Sequence, residues 1–263
     1  MPRFLMASPD FYGIEYEINP WMDRRRNAIS ELACSQWTGL VKTLLSLPDM
    51  DIELLKPQPG LPDMAFTANA GLVIDRRFIS SRFRHRERQG ESPHYEKWFA
   101  NRGYDIIRLP EDVFFEGEGD AILAGDTWFE GYYYRSDARA HEALSEILNA
   151  EVLPLRLVDP LFYHLDTCFR PLGSDSAIIY PGAFDEYALR VLRSRFQKRI
   201  EVTEEEAKRF CCNAIVVGDT VVTTTGCHGM SAALRVDGYD VRALDLSEFI
   251  KAGGAAKCLV LSM

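Results

Sequence analysis

Four stretches of this chain repeat one pattern, two β-rich runs around a turn that carries aspartate. They are NAGLVIDRRFISS from Asn69, GDAILAGDTWFEGYY from Gly119, CFRPLGSDSAIIYPG from Cys168 and NAIVVGDTVVTTTG from Asn213, beginning 50, 49 and 45 residues apart. Alternating runs joined through Asp or Gly-Asp read as β hairpins. A fixed period of this size excludes most architectures, because each repeat must bury its apolar face against its neighbours.

Behind the first three hairpins lie HYEKWFANRG, DARAHEALSEILN and DEYALRVLRSRF, whose apolar residues recur at helical spacing. A third strand follows in each case: YDIIRLP from Tyr104, AEVLPLRL from Ala150 and KRIEVT from Lys198, while YDVRALDL from Tyr239 follows the fourth hairpin. An N-terminal set matches them, with RFLMAS, a long helical stretch from Met22 to Leu47 and MDIELLK. Five β-β-α-β units of about 50 residues thus account for residues 1–263 as one α/β domain. Radial closure is the natural expectation, a five-bladed propeller with helices outside and the ends of the inner strands around a shared central site. With 47% hydrophobic residues the chain can bury such a core.

The 39 acidic residues outnumber the 30 basic ones, for a net charge of -9. That balance argues against a nucleic acid partner, which calls for a surplus of cations. No apolar run is long enough for a bilayer and the N-terminus lacks an apolar signal core, so a soluble cytoplasmic protein is expected. Six cysteines without paired spacing suggest free thiols rather than a disulfide framework or a zinc site. Nucleotide-binding glycine motifs and H-E-x-x-H are absent from the sequence as well.

Four polar stretches fall where inner strands would end: DMAFTANAG, FEGEGDA, YHLDTCF and KAGGAAKC. His164 and Asp166, two apart, would share one face of a strand and pair an acid-base group with a carboxylate. Glu116, Glu118 and Asp120 lie within five residues among glycines. Glu118 reads most simply as a solvated loop residue, whereas Glu116 and Asp120 flank apolar runs and would need a cation if buried, such as a cationic substrate. Cys258 follows a flexible Gly253-Gly254 turn and enters the apolar LVLSM, which favours it as a nucleophile. Cys227, beside His228, is its rival. Arg82, Arg84, Arg86 and Arg88 within seven residues form either a solvated basic loop or a clamp for a carboxylate.

Taken in order, FTANAG, FEGEGDA, HLDTCF and GGAAKC resemble the guanidine-modifying (pentein) superfamily of five-bladed α/β propellers, across essentially the whole chain. Arginine deiminases, dimethylarginine hydrolases and amidinotransferases belong to it, as do non-catalytic ribosome-associated factors, which lack the Cys, His and carboxylate set. The resemblance implies Cys258 as nucleophile, His164 as acid-base group, Glu116 as its orienting carboxylate, and Asp120 and Asp166 on the guanidinium. It also implies Arg88 on the substrate carboxylate, with Arg84 as second choice and Asn19 as a polar helper. Neither a metal nor an organic cofactor is implied, and the partner is a small molecule, arginine or another guanidino compound. Deiminases typically carry Asp where this chain has Asn69. FTANAG is similar to arginine dihydrolases, which take arginine to ornithine, ammonia and carbon dioxide, so that activity is expected here, ahead of a citrulline-forming hydrolase or an amidinotransferase. Asn69 would serve a cationic and a neutral ligand in turn, unless it merely caps the turn before GLVI.

Overall fold

In the computed structural model, which describes residues 2–263, the repeat becomes five three-stranded sheets. Four are continuous in sequence: Gly71–Ile74, Arg77–Ser80 and Asp105–Arg108; Ala121–Ala124, Thr127–Tyr132 and Val152–Arg156; Phe169–Pro171, Ser176–Ile179 and Lys198–Glu201; Ile215–Val217, Thr220–Thr224 and Asp240–Leu244. In each, an antiparallel hairpin is followed by a helix and then by a strand parallel to the second. The architecture is the five-bladed pentein propeller.

The remaining sheet joins the two ends of the chain. Arg3–Ala7 pairs parallel with Asp51–Leu55 and antiparallel with Leu261–Ser262. The strand that completes this blade therefore enters directly from the turn carrying Cys258, so closing the ring also places that residue.

Helical packing follows residue spacing. Ser92–Ala100 buries Tyr95, Trp98 and Phe99, and the next two helices bury i, i+4 pairs, Ala140 with Leu144 and Ala188 with Leu192. Phe99 stacks on Phe78 of the adjoining sheet at 4.0 Å between ring centroids. His228–Val236 supplies the fifth blade's helix, which sequence periodicity did not single out, and it buries Met230 and Leu234. The N-terminal helical stretch is shorter than expected, with the α-helix confined to Ser30–Leu45. Among the described residues, no helix is long and apolar enough to cross a membrane.

Candidate active site

A turn stands at the head of each inner strand. Four are 3-10 turns, Thr67–Ala70, Gly117–Gly119, Leu165–Thr167 and Lys257–Leu259, and in the fifth blade Asn213 closes a turn onto the Phe210 carbonyl. These turns pack on one another, and the side chains they carry meet at the centre.

His164 and Asp166 do not share a strand. His164 is extended while Asp166 sits in the following turn, so the two point to different partners. His164 Nε2 lies 2.8 Å from Glu116 Oε2, and Asp166 Oδ2 lies 3.4 Å from Cys258 Sγ. Glu116 is fully buried and also accepts from Arg135 Nη1 at 3.0 Å and from the Arg84 amide at 3.1 Å. Burial alone would push its carboxyl up, but Arg135 and then His164 outweigh it and hold the group ionised, far below the usual carboxylate range. An ionised carboxylate only accepts hydrogen bonds, so His164 Nε2 donates to it, and the neutral imidazole carries its lone pair on Nδ1. Stability from Glu116 is therefore present above the ordinary carboxylate range and is lost as pH falls through its depressed pKa.

Asn69 faces that lone pair. Its Oδ1 accepts from Arg88 Nη1 at 2.8 Å, which orients the amide and turns Nδ2 toward His164 Nδ1 at 3.5 Å. The side chain makes no hydrogen bond to the turn before GLVI, so capping does not explain the residue. Gly119 permits this approach, since a Cβ there would stand 2.4 Å from Asn69 Nδ2 and 3.3 Å from the His164 ring.

Cys258 is held on two sides. Asn213 donates from Nδ2 to Sγ at 3.1 Å and accepts the Cys258 amide at Oδ1, 3.2 Å. Burial, followed by the charge of Asp166, pushes the thiol well above its ordinary pKa. Without a ligand the site therefore holds a thiol rather than a thiolate. Asn213→Ala is expected to lower stability by about 1–3 kcal/mol by orphaning a buried amide, and to slow alkylation of Cys258 by iodoacetamide. A thermal melt and a labelling time course check this, and an unchanged labelling rate would refute the thiol contact.

Several sequence expectations need correction. Asp120 does not present a free carboxylate, because Oδ2 accepts from Ser136 Oγ at 2.6 Å and Oδ1 from the Leu165 amide at 3.1 Å. It anchors the turn after His164. Glu116 needs no cationic substrate as counter-ion, since Arg135 fills that place. Glu118 is not a solvated loop residue; its side chain pairs with Lys257 Nζ at 2.8 Å. Of the arginine cluster only Arg88 is buried, with its fork closed on Glu91 at 2.8 and 2.9 Å, whereas the Arg84 side chain reaches outward to Asp137 and the Arg135 carbonyl. Asn19 spends its amide on Ala252 O, Tyr163 Oη and the amides of Trp21 and Met22, which ties down its own loop. Cys227 is no rival nucleophile because it is bonded to Cys211 in a disulfide, contrary to the expected set of six thiols. Folding packs the Phe210–Asn213 turn against the start of the last long helix, a proximity that sequence spacing did not signal.

With this geometry in view, the comparisons decide the family. The profile described as "N,N dimethylarginine dimethylhydrolase, eukaryotic" matches residues 15–263. The chain belongs to this family. It is 45% identical over 264 residues to the bifunctional arginine dihydrolase/ornithine cyclodeaminase AgrE of Nostoc sp., covering 98% of this chain and 37% of that protein. The chain thus spans 37% of the length of that curated relative. It is 38% identical to an N(G),N(G)-dimethylarginine dimethylaminohydrolase of Mycobacterium tuberculosis, covering 99% and 85%. Among solved structures, a variant N-terminal domain of ArgZ covalently bound to a reaction intermediate superimposes with a TM-score of 0.95 at 43% identity, covering 100% and 97%.

Three residues of this family member's site escaped the sequence reading. Arg135 follows an aromatic run and carries no spacing signal, yet it is buried against Glu116 and over the Tyr163 ring. Asp63 lies in the polar stretch DMAFTANAG but was given no role there; it is buried, 3.8 Å from Arg88, with Oδ1 unpartnered. Asn213 did have a signal, since NAIVV repeats the NAGLV that begins at Asn69.

Proposed function

We propose that this chain is an arginine dihydrolase, converting arginine and two waters to ornithine, two ammonia and carbon dioxide through covalent adducts on Cys258. One observation carries the reading. Of the buried carboxylates with an unpartnered oxygen, Asp63 lies 3.8 Å from Arg88 and Asp166 beside the Cys258 thiol, while Glu130 contacts none of these residues. Burial raises the pKa of Asp63 and of Asp166, so both carboxylates gain from a cation. Arginine has two cationic groups, an α-amino group for Asp63 and a guanidinium for Asp166. Arg88 and Arg135, although bonded to Glu91 and Glu116, are the buried cations nearest these groups, and each has an N–H left over for the substrate's carboxylate, as a single contact rather than a fork.

When the guanidinium enters, its charge relieves the cost of a buried thiolate. The Cys258 proton passes to His164 Nδ1, Sγ attacks the guanidinium carbon, and the same proton leaves with the departing ammonia. Water, deprotonated at Nδ1, adds to the thiouronium, and loss of Sγ gives a bound ureido group. A second attack by Cys258 expels ornithine and leaves an S-carbamoyl enzyme, which water cleaves to carbamate and then carbon dioxide and ammonia. The likeness to AgrE, an arginine dihydrolase, and to an ArgZ domain covalently bound to a reaction intermediate supports the activity and a covalent route.

Asn69 governs the second half. The ureido group is neutral and its oxygen needs a donor, which Asn69 Nδ2 supplies and a carboxylate could not. Incubation with arginine is expected to yield two ammonia per ornithine, and Asn69→Asp is expected to release mainly citrulline with about one ammonia per arginine. Ammonia and amino-acid analysis checks both. Citrulline from the unmodified enzyme, or turnover of dimethylarginine in place of arginine, would overturn the assignment.

A further inference from the structure

A half-open chamber of about 290 Å³ is walled by the strands that follow the four 3-10 turns, together with Glu118 and Lys257 of the turns themselves. Ile74, Ile122 and Trp128 make it apolar, while Glu118, Arg170, Lys257 and Ser262 make it polar. None of these residues has a role in the chemistry proposed above.

The charges there do not balance. The single acid, Glu118, is already engaged, because Oε2 accepts from Lys257 Nζ at 2.8 Å and from the Ser262 amide at 3.0 Å. Lys257 spends a second N–H on Val260 O at 3.0 Å, leaving its third without a protein acceptor. Arg170 makes no ion pair among the described residues, and its Nε and Nη2 are buried without an acceptor. Those two nitrogens form one edge of the guanidinium, the same fork that Arg88 closes on the two oxygens of Glu91. In Arg170 the fork is open. A second cavity of about 330 Å³ flanks the same side chain, so there is room for it to turn. Asp166 and Glu118 lend Arg170 some negative charge, but burial outweighs them and pulls its pKa down, and two buried N–H groups without an acceptor are costly.

We propose that this chamber is an anion site in which the Arg170 fork and the Lys257 ammonium take a small planar oxyanion of the carboxylate or carbonate class. A two-oxygen anion matches two parallel N–H donors, as a spherical halide does not. The site stands independently of the proposed reaction, although that reaction passes through an anion of this class, carbamate. Because Lys257 precedes Cys258 and Arg170 follows Asp166 by one turn, an occupant would offset positive charge behind the thiol.

The test is thermal unfolding of the whole chain in low-salt HEPES, with sodium bicarbonate, sodium acetate or sodium chloride added at equal ionic strength. Bicarbonate or acetate should raise the midpoint saturably by several degrees and chloride should not, with bicarbonate above acetate for an inorganic-carbon site and the reverse for a carboxylate site. In Arg170→Met the response should vanish, and the midpoint in HEPES alone should equal or exceed that of the unmodified chain, since an unpaired buried charge is gone. Arg170→Lys keeps the charge but not the fork, and should lose the preference over chloride. A flat response in the unmodified chain, an equal rise with chloride, an undiminished response in either variant, or a marked fall of the Arg170→Met midpoint would each overturn the site. Arginine turnover does not enter this readout, so its failure and that of the proposed function are distinguishable.

Discussion

Cys258→Ser is expected to lower ammonia release from arginine by at least about four orders of magnitude while leaving the fold intact. Serine is nearly isosteric, and its oxygen can still accept from Asn213 Nδ2 and donate to Asp166, so the contacts that hold Cys258 in place survive. What is lost is an ionisable nucleophile, because a hydroxyl is far harder to deprotonate than even the buried thiol. Steady-state ammonia assays with a thermal melt measure the two parts separately. Cys227→Ser is the matched control. It removes a disulfide whose cysteines are 16 residues apart, lowering stability by about 3 kcal/mol while turnover persists below the melt. Retained activity in Cys258→Ser together with inactive, folded Cys227→Ser would reverse the assignment.

His164→Ala is expected to abolish the formation of both citrulline and ornithine. In the proposed reaction one imidazole protonates the leaving nitrogen and then deprotonates water, so neither half-reaction would proceed without it. The loss is not a matter of one missing hydrogen bond. Glu116 remains paired with Arg135 in the variant, so the carboxylate keeps its counter-ion and the fold is preserved. Breaking that ion pair instead, by Arg135→Ala, would leave a buried carboxylate uncompensated at a cost of about 3–5 kcal/mol. Single-turnover mass spectrometry with arginine separates the steps, and an adduct on Cys258 that forms and decays at the unmodified rate in His164→Ala would sink the acid-base role.

The period of about 50 residues, the order of strands and helices in each unit and the four polar stretches at the heads of inner strands were legible in the sequence. They are local features, set by alternation, helical spacing and turn residues within one repeat. The proposed nucleophile and acid-base partner, Cys258 and His164, come from the same stretches through their resemblance to a known superfamily. Tertiary structure decided which polar groups face one another. Arg135 reaches Glu116 across 19 residues, Asn213 reaches Cys258 across 45, and Asp120 turns away to Ser136. The last strand pairs with the first only because the ring closes. For the side chains, the partner is chosen by the direction in which the turns and loops at the strand heads aim them, and by the cost of burying a charge unmatched. Both depend on the packing of five separate turns at one centre, which no single stretch of the chain encodes.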